Sequence, residues 1–242
     1  MLNTILFDLD GTLLPINMEV FEKVYVKEVG DYFSDMLPLN AFGEILWTCT
    51  KSMIENTEQL TNQEIFIREF NKIINHKNIA NVTLNMFMDR FDKFYDTAFF
   101  KLKDSVEDVK SMKDSVKILK EKGYNVVIAT NPLFPIKAIN HRIRWAGFEP
   151  EDFSYISSFE KNNYCKPQLK YYKEVLDHIG KNPEECMMVG NDVQEDLVAK
   201  SIGIKTFLIK DHILHRTDDE IITDYKGDYD EFLRFVKSLP NL

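Results

Sequence analysis

The hydrophobic positions of this chain change their period twice. Residues 3–11, NTILFDLDG, are an apolar run closed by charge, which predicts a buried strand that leaves its sheet at Asp8. From residue 18 the apolar spacing becomes helical. Met18, Phe21, Tyr25, Val29 and Phe33 mark one stripe, and Ile45, Leu46, Cys49 and Met53 a second. Ile65, Phe66, Phe70, Ile73 and Ile74 mark a third, opened by Thr61 and Glu64 as a capping box. Leu84, Phe87, Met88, Phe91, Phe94 and Tyr95 mark a fourth. Four such helices can bury their faces against one another as a small bundle. Their aromatic rings read first as its core and second as a ligand pocket.

Beyond residue 103 strand and helix patterns alternate. Val109, Met112, Val116 and Leu119 predict a helix stopped at Gly123, and YNVVIATN a strand. A helix over 134–146 follows, then a short strand at YISS and a helix carrying Leu169, Tyr172, Val175, Leu176 and Ile179. CMMVGND is a strand running into a polar turn, VQEDLVAKSIG a helix, IKTFLI a strand and YDEFLRFVKSL a closing helix. This alternation is that of an open, mostly parallel α/β sheet. The first strand cannot bury both faces alone, so it joins the later unit. The expected core is discontinuous, residues 1–15 and 103–242, with residues 16–102 as an inserted helical domain hinged near Pro15–Asn17 and Phe100–Asp104.

Composition narrows the function. The 242 residues carry a formal net charge of -9, which disfavours nucleic acid as a partner. No apolar stretch approaches the roughly 20 residues of a membrane span, and no signal peptide is evident. Three cysteines without a CxxC pair suit a reducing, cytoplasmic setting. Cys49 and Cys186 read as small core residues, and His212 and His215 as part of a surface loop without a third metal ligand.

Four polar clusters are expected at the carboxyl ends of the predicted strands: Asp8 and Asp10, then Thr130 and Asn131, then Lys166, then Asn191, Asp192 and Asp196. An open α/β sheet binds ligands along that edge. Several carboxylates together call for a counter-charge, and a hard divalent cation such as magnesium takes oxygen ligands while leaving room for phosphate and water.

These pieces resemble the motifs of the haloacid dehalogenase (HAD) superfamily of hydrolases, in the subclass with a cap inserted after the first motif. FDLDGTL matches the first motif, VVIATN resembles the second, Lys166-Pro167 the third, and MMVGND with Asp196 the fourth. The resemblance covers the core but not the detailed cap sequence. It implies a three-layer Rossmann-like core with an all-helical cap, and a magnesium-dependent phosphatase acting on a small phosphorylated metabolite. Asp8 is then the nucleophile that forms an aspartyl-phosphate, and Asp10 the general acid and base. Lys166 bridges Asp8 and the phosphate. Gly11, Thr12, Thr130 and Asn131 are expected around the phosphate, Asn131 on it or on the nearby loop. Asp8, the Asp10 carbonyl, Asn191, Asp192 and Asp196 are expected around the metal. The fourth motif departs from the commonest pattern, because Asn191 stands where an aspartate often follows the glycine. Either Asn191 or Asp192 then pairs with Asp196, and Asp196 itself is alternatively a solvated residue at a helix start.

Asp10 argues for phosphate chemistry, since dehalogenases of this superfamily lack that acid. A phosphomutase and a binding module that has lost activity are the alternatives. Phosphonate cleavage would need a cap lysine, and Lys23, Lys27, Lys51 and Lys72 show no apolar setting for one.

Overall fold

The computed structural model describes residues 1–76 and 82–242. Five strands form one parallel sheet: β1 (Thr4–Phe7), β2 (Asn125–Ile128), β3 (Cys186–Gly190), β4 (Lys205–Ile209) and β5 (Tyr225–Gly227), in the order β2-β1-β3-β4-β5. β1 pairs with β2 on one side and β3 on the other, Phe7 standing opposite Ile128 and Val189. Chain order reverses across β1, so the crevice at its carboxyl end is where an open sheet takes ligands. Asp8 is the first residue beyond that end.

All of β1 is buried, because helices cover both faces of the sheet. Ile5 and Phe7 point to one face, where Phe7 meets Phe232 of α8 (Tyr229–Ser238) edge to face at 5.8 Å. Leu6 points to the other, with Val127 and Met188, under Tyr171, Tyr172 and Val175 of α7 (Leu169–Ile179). The period of two thus sorts one strand between two helical layers. α5 (Lys110–Glu121) packs beside α8, and α6 (Ile136–Trp145) adds Ile139 and Ile143 to the core.

Between β1 and α5 stands the helical insertion: α1 (Met18–Phe33), α2 (Leu39–Ile54), α3 (Asn62–His76) and α4 (Leu84–Asp96), then a 3-10 segment, Ala98–Ser105. Its centre is Phe33, with ring centroids 4.7 Å from Phe42 and Phe91 and 5.0 Å from Phe87. Asn17 caps α1 through the Val20 amide, and the Thr61–Glu64 box closes reciprocally at the start of α3.

Two sequence expectations change. The stretch from Val193 is not an α-helix but turns followed by a 3-10 segment, Leu197–Ile202. YISS contributes only an isolated bridge between Ile156 and Ile128. The segments that enter and leave the insertion are paired: Ile16 bridges Val106, and the Glu107 amide donates to the Pro15 carbonyl at 2.9 Å. Pairing the two crossings satisfies backbone groups that an isolated linker would leave to water.

Candidate active site

The strand ends gather the carboxylates around one lysine. The Lys166 ammonium, only 1% exposed, donates to Asp8 Oδ1 at 2.9 Å and to Asp196 Oδ1 at 2.7 Å. Burial pulls the Lys166 pKa down, but Asp196 and Asp8 outweigh it and hold the pKa well above the usual lysine value. Burial pushes Asp8 up against the restraint of Lys166, with Asp10 adding to the rise, to about 6. The same competition leaves Asp196 at about 7.

Asp196 is not a solvated residue. Its second oxygen accepts the Asp192 amide at 2.9 Å, and the side chain is packed on bare backbone at Gly190. Asp192 Oδ1 in turn accepts the Gln194 and Glu195 amides at 3.0 and 2.9 Å, and its Oδ2 is 2.5 Å from Arg216. Asn191 does different work. Its Oδ1 accepts the Thr12 hydroxyl at 2.9 Å, and its amide donates to the His212 carbonyl at 2.6 Å. Gly11, at φ +81°, leaves room for it: a Cβ there would lie 2.4 Å from Asn191 Nδ2.

The Gly11 and Thr12 amides are spent inside their own turn, on the Leu14 and Leu9 carbonyls at 2.8 and 3.2 Å. With its hydroxyl on Asn191, Thr12 braces the loop and offers no spare donor proton to a phosphate. The main-chain N–H groups of Leu9 and Asp10, by contrast, make no hydrogen bond among the described residues. Leu9 is fully buried, and a buried orphan amide marks a place for an acceptor. The Thr130 carbonyl is pinned by Ser157 and Tyr171 hydroxyls at 2.7 and 2.8 Å, which fixes the residue, while its own hydroxyl makes no hydrogen bond among the described residues. Asn131 accepts the Lys166 amide at 3.3 Å and donates to Glu195 at 3.1 Å, so it ties two loops together.

Two further residues complete the cluster. Arg142 of α6 is 1% exposed and ion-paired with Asp10, its guanidinium 4.4 Å from the Phe134 ring centroid. Burial raises the Asp10 pKa, and Arg142 and Lys166 restrain the rise. The sequence signal was an arginine inside an apolar stripe, between Ile139 and Ile143. Glu195 is pushed up to about 7 by burial, with Lys166 restraining it and Asp192 and Asp196 adding to the rise.

No trio of histidine, cysteine or carboxylate side chains among the described residues is already arranged around a metal position. The donor chemistry nevertheless suits a hard cation. Among the described residues Asp8, Asp10, Asp192, Glu195 and Asp196 face Lys166, Arg142 and Arg216, five carboxylates against three cations. Among the described residues the buried Asp10 Oδ1 has no partner, and Asp8 Oδ2 makes no hydrogen bond. All three cysteines are buried and unpaired, so no zinc-type cluster competes.

Known proteins share this architecture. A family model described as haloacid dehalogenase-like hydrolase matches residues 2–203. A pyrophosphatase, PpaX, of Bacillus cereus (strain AH820) is 24% identical over 212 residues, spanning 85% of this chain and 82% of that protein. A HAD phosphatase from Thermococcus onnurineus superposes with a TM-score of 0.60 at 17% identity over 100% of both chains. A 2-haloacid dehalogenase from Pseudomonas syringae pv. Tomato DC3000 gives 0.65 at 14% identity, over 98% of this chain and 99% of the other.

Proposed function

The chain belongs to the haloacid dehalogenase-like hydrolases, and from that premise we propose that it is a magnesium-dependent phosphomonoesterase working through an aspartyl-phosphate on Asp8. The observation that carries this reading is the buried Lys166, shared by Asp8 and Asp196, beside an acid at position 10. A halide leaves without a proton, whereas an alkoxide needs one.

Asp8 attacks phosphorus with the oxygen not held by Lys166. As the P–O bond to the alcohol breaks, protonated Asp10 gives its proton to the departing oxygen. Asp10 then takes a proton from water as that water attacks the phosphoryl group, which returns Asp8 to a carboxylate and releases phosphate. Lys166 keeps Asp8 oriented and offsets charge between it and the phosphoryl oxygens. The Leu9 and Asp10 amides and the Thr130 hydroxyl supply donors to those oxygens. Arg142 holds the Asp10 side chain in place between steps.

Asp8, the Asp10 carbonyl, Asp192 and Asp196 would hold magnesium, with Asn191 bracing the loop rather than coordinating. When bound, the metal neutralises charge on the phosphoryl group. The insertion is the cap, residues 17–105, hinged where Ile16 meets Val106. Among the described residues no helix is long and apolar enough to cross a membrane, and three buried free cysteines suit a cytoplasmic setting.

Phosphate release from a panel of monoesters and inorganic pyrophosphate, with magnesium and with EDTA, tests the reading. Magnesium-dependent turnover is expected. A folded, metal-loaded protein inert toward the whole panel would favour a binding module instead.

A further inference from the structure

A cavity of about 470 Å³ lies between the helical insertion and the core loop that follows Asn131. Its size is that of a small-ligand site. Tyr25, Phe66, Phe91 and Tyr95 line it from the insertion, Phe134 and Phe159 from the core. The aromatic stripes therefore serve two ends: rings such as Phe33 and Phe94 close the bundle, and Tyr25, Phe66, Phe91 and Tyr95 also face an open volume.

The cavity adjoins the catalytic cluster through one side chain. Arg142 lies over the Phe134 ring, a cavity wall, and pairs with Asp10. Its second terminal nitrogen is buried and has no hydrogen-bond partner among the described residues. The Tyr25 and Tyr95 hydroxyls, 3.3 Å apart, feel the same guanidinium. Phe134 therefore belongs both to the cavity wall and to the surroundings of the Asp10–Arg142 pair.

The lining also restricts what the alcohol can carry. Lys137 is held by Asp92 and Asp96 at 2.5 and 2.9 Å. Both Glu160 oxygens lie 3.0 Å from the Ile136 amide. Two carboxylates, Asp92 and Glu160, line the cavity against one ammonium, Lys137, so a second anionic group is repelled. The remaining surface is mainly apolar and aromatic, which rewards burial of a ring or branched hydrocarbon.

We propose that this cavity is the leaving-group pocket, and that the substrate class is the phosphate monoester of an uncharged, ring-sized apolar alcohol. The proposal rests on the phosphatase reading and names its substrate class. Cyclohexylmethyl phosphate, methyl phosphate and glycerol 3-phosphate have primary alkyl leaving groups and differ mainly in the body they offer the pocket. The full chain with magnesium should show kcat/KM for cyclohexylmethyl phosphate at least about tenfold above the other two, the scale of apolar pocket discrimination. Met88→Trp and, independently, Thr50→Phe fill the cavity from half-buried positions and should bring the ratio to cyclohexylmethyl over methyl phosphate toward parity, mainly through KM. Either folded variant suffices for the test. Equal turnover of all three esters by the wild type, a preference for glycerol 3-phosphate, or an unchanged ratio in a folded filling variant overturns the pocket assignment and leaves the phosphatase reading standing. No hydrolysis of any ester, nor of acetyl phosphate, overturns both.

Discussion

The Asp196 carboxylate lies so close to the backbone of Gly190 that a methyl group on that glycine would sit 2.0 Å from Oδ2. The carboxylate cannot swing aside, since its oxygens are held by Lys166 and the Asp192 amide. Gly190→Ala should therefore cost about 1–3 kcal/mol in unfolding by urea, the scale of an overpacked core. Turnover should fall as well, because Lys166 and the Asp192 loop move with Asp196. Wild-type stability and kinetics in this variant would show that the contact relaxes freely.

Removing the shared cation is more severe. Lys166→Met leaves Asp8 and Asp196 buried without the lysine cation they share, a change of about 3–5 kcal/mol. The loss should be smaller at pH 5 than at pH 8, because both carboxylates can then take up protons. Denaturant titrations at the two pH values check this. An equal loss at both would mean that packing, not charge, dominates the site.

Stability of the metal-free protein should fall as pH rises through the window from about 4 to 7. Asp8, Glu195 and Asp196 have folded-state pKa values of about 6, 7 and 7, above their ordinary 3.8, 4.5 and 3.8. Inside the window the folded chain keeps protons that the unfolded chain has lost, so raising the pH favours unfolding. His141, whose pKa burial lowers, opposes this with at most one proton, and ion-paired carboxylates with lowered pKa, such as Glu69, Asp152 and Asp224, oppose it at the acid end of the window, below the two pH values compared. Melting of chelated protein at pH 5.5 and pH 7.5 measures the sign, with the higher temperature expected at pH 5.5. Magnesium should raise the value most at pH 7.5. A higher melting temperature at pH 7.5 without metal would contradict the charge assignment.

Arg216 occupies Asp192 with a half-exposed guanidinium, a cation beside the proposed magnesium ligands. Arg216→Ala should tighten magnesium binding by up to about fivefold, the scale of an exposed ion pair. Calorimetric titration with magnesium reads this without turnover. Weaker binding would instead make Arg216 a support of the loop.

Long patterns were legible in the sequence, and short or cross-chain relations were not. The stripes of α1 to α4 and the apolar runs of β1 to β4 gave the cap and sheet because burial enforces their periods. Val193, Leu197 and Val198 carry helical spacing too, but here polar side chains compete with the helix. Asp192 takes the amides of Gln194 and Glu195, and Asp196 is drawn back over Gly190. β5 is three residues at the sheet edge, with Tyr225 and Lys226 exposed, so it has no alternation to detect. Asp8, Asp10 and Lys166 were marked by type and position. Asn191 and Thr12 stand 179 residues apart in sequence, and nothing local announces their hydrogen bond.

In the proposed reaction Asp8 is the group that becomes phosphorylated. Rapid acid quench during turnover, followed by peptide mapping, locates the phosphoryl adduct directly. It should lie on Asp8 in the wild type and be absent from Asp8→Asn, whose turnover should drop by about 10⁴-fold or more while the fold persists. An adduct on another residue, or near wild-type turnover in a pure Asp8→Asn preparation, would contradict it.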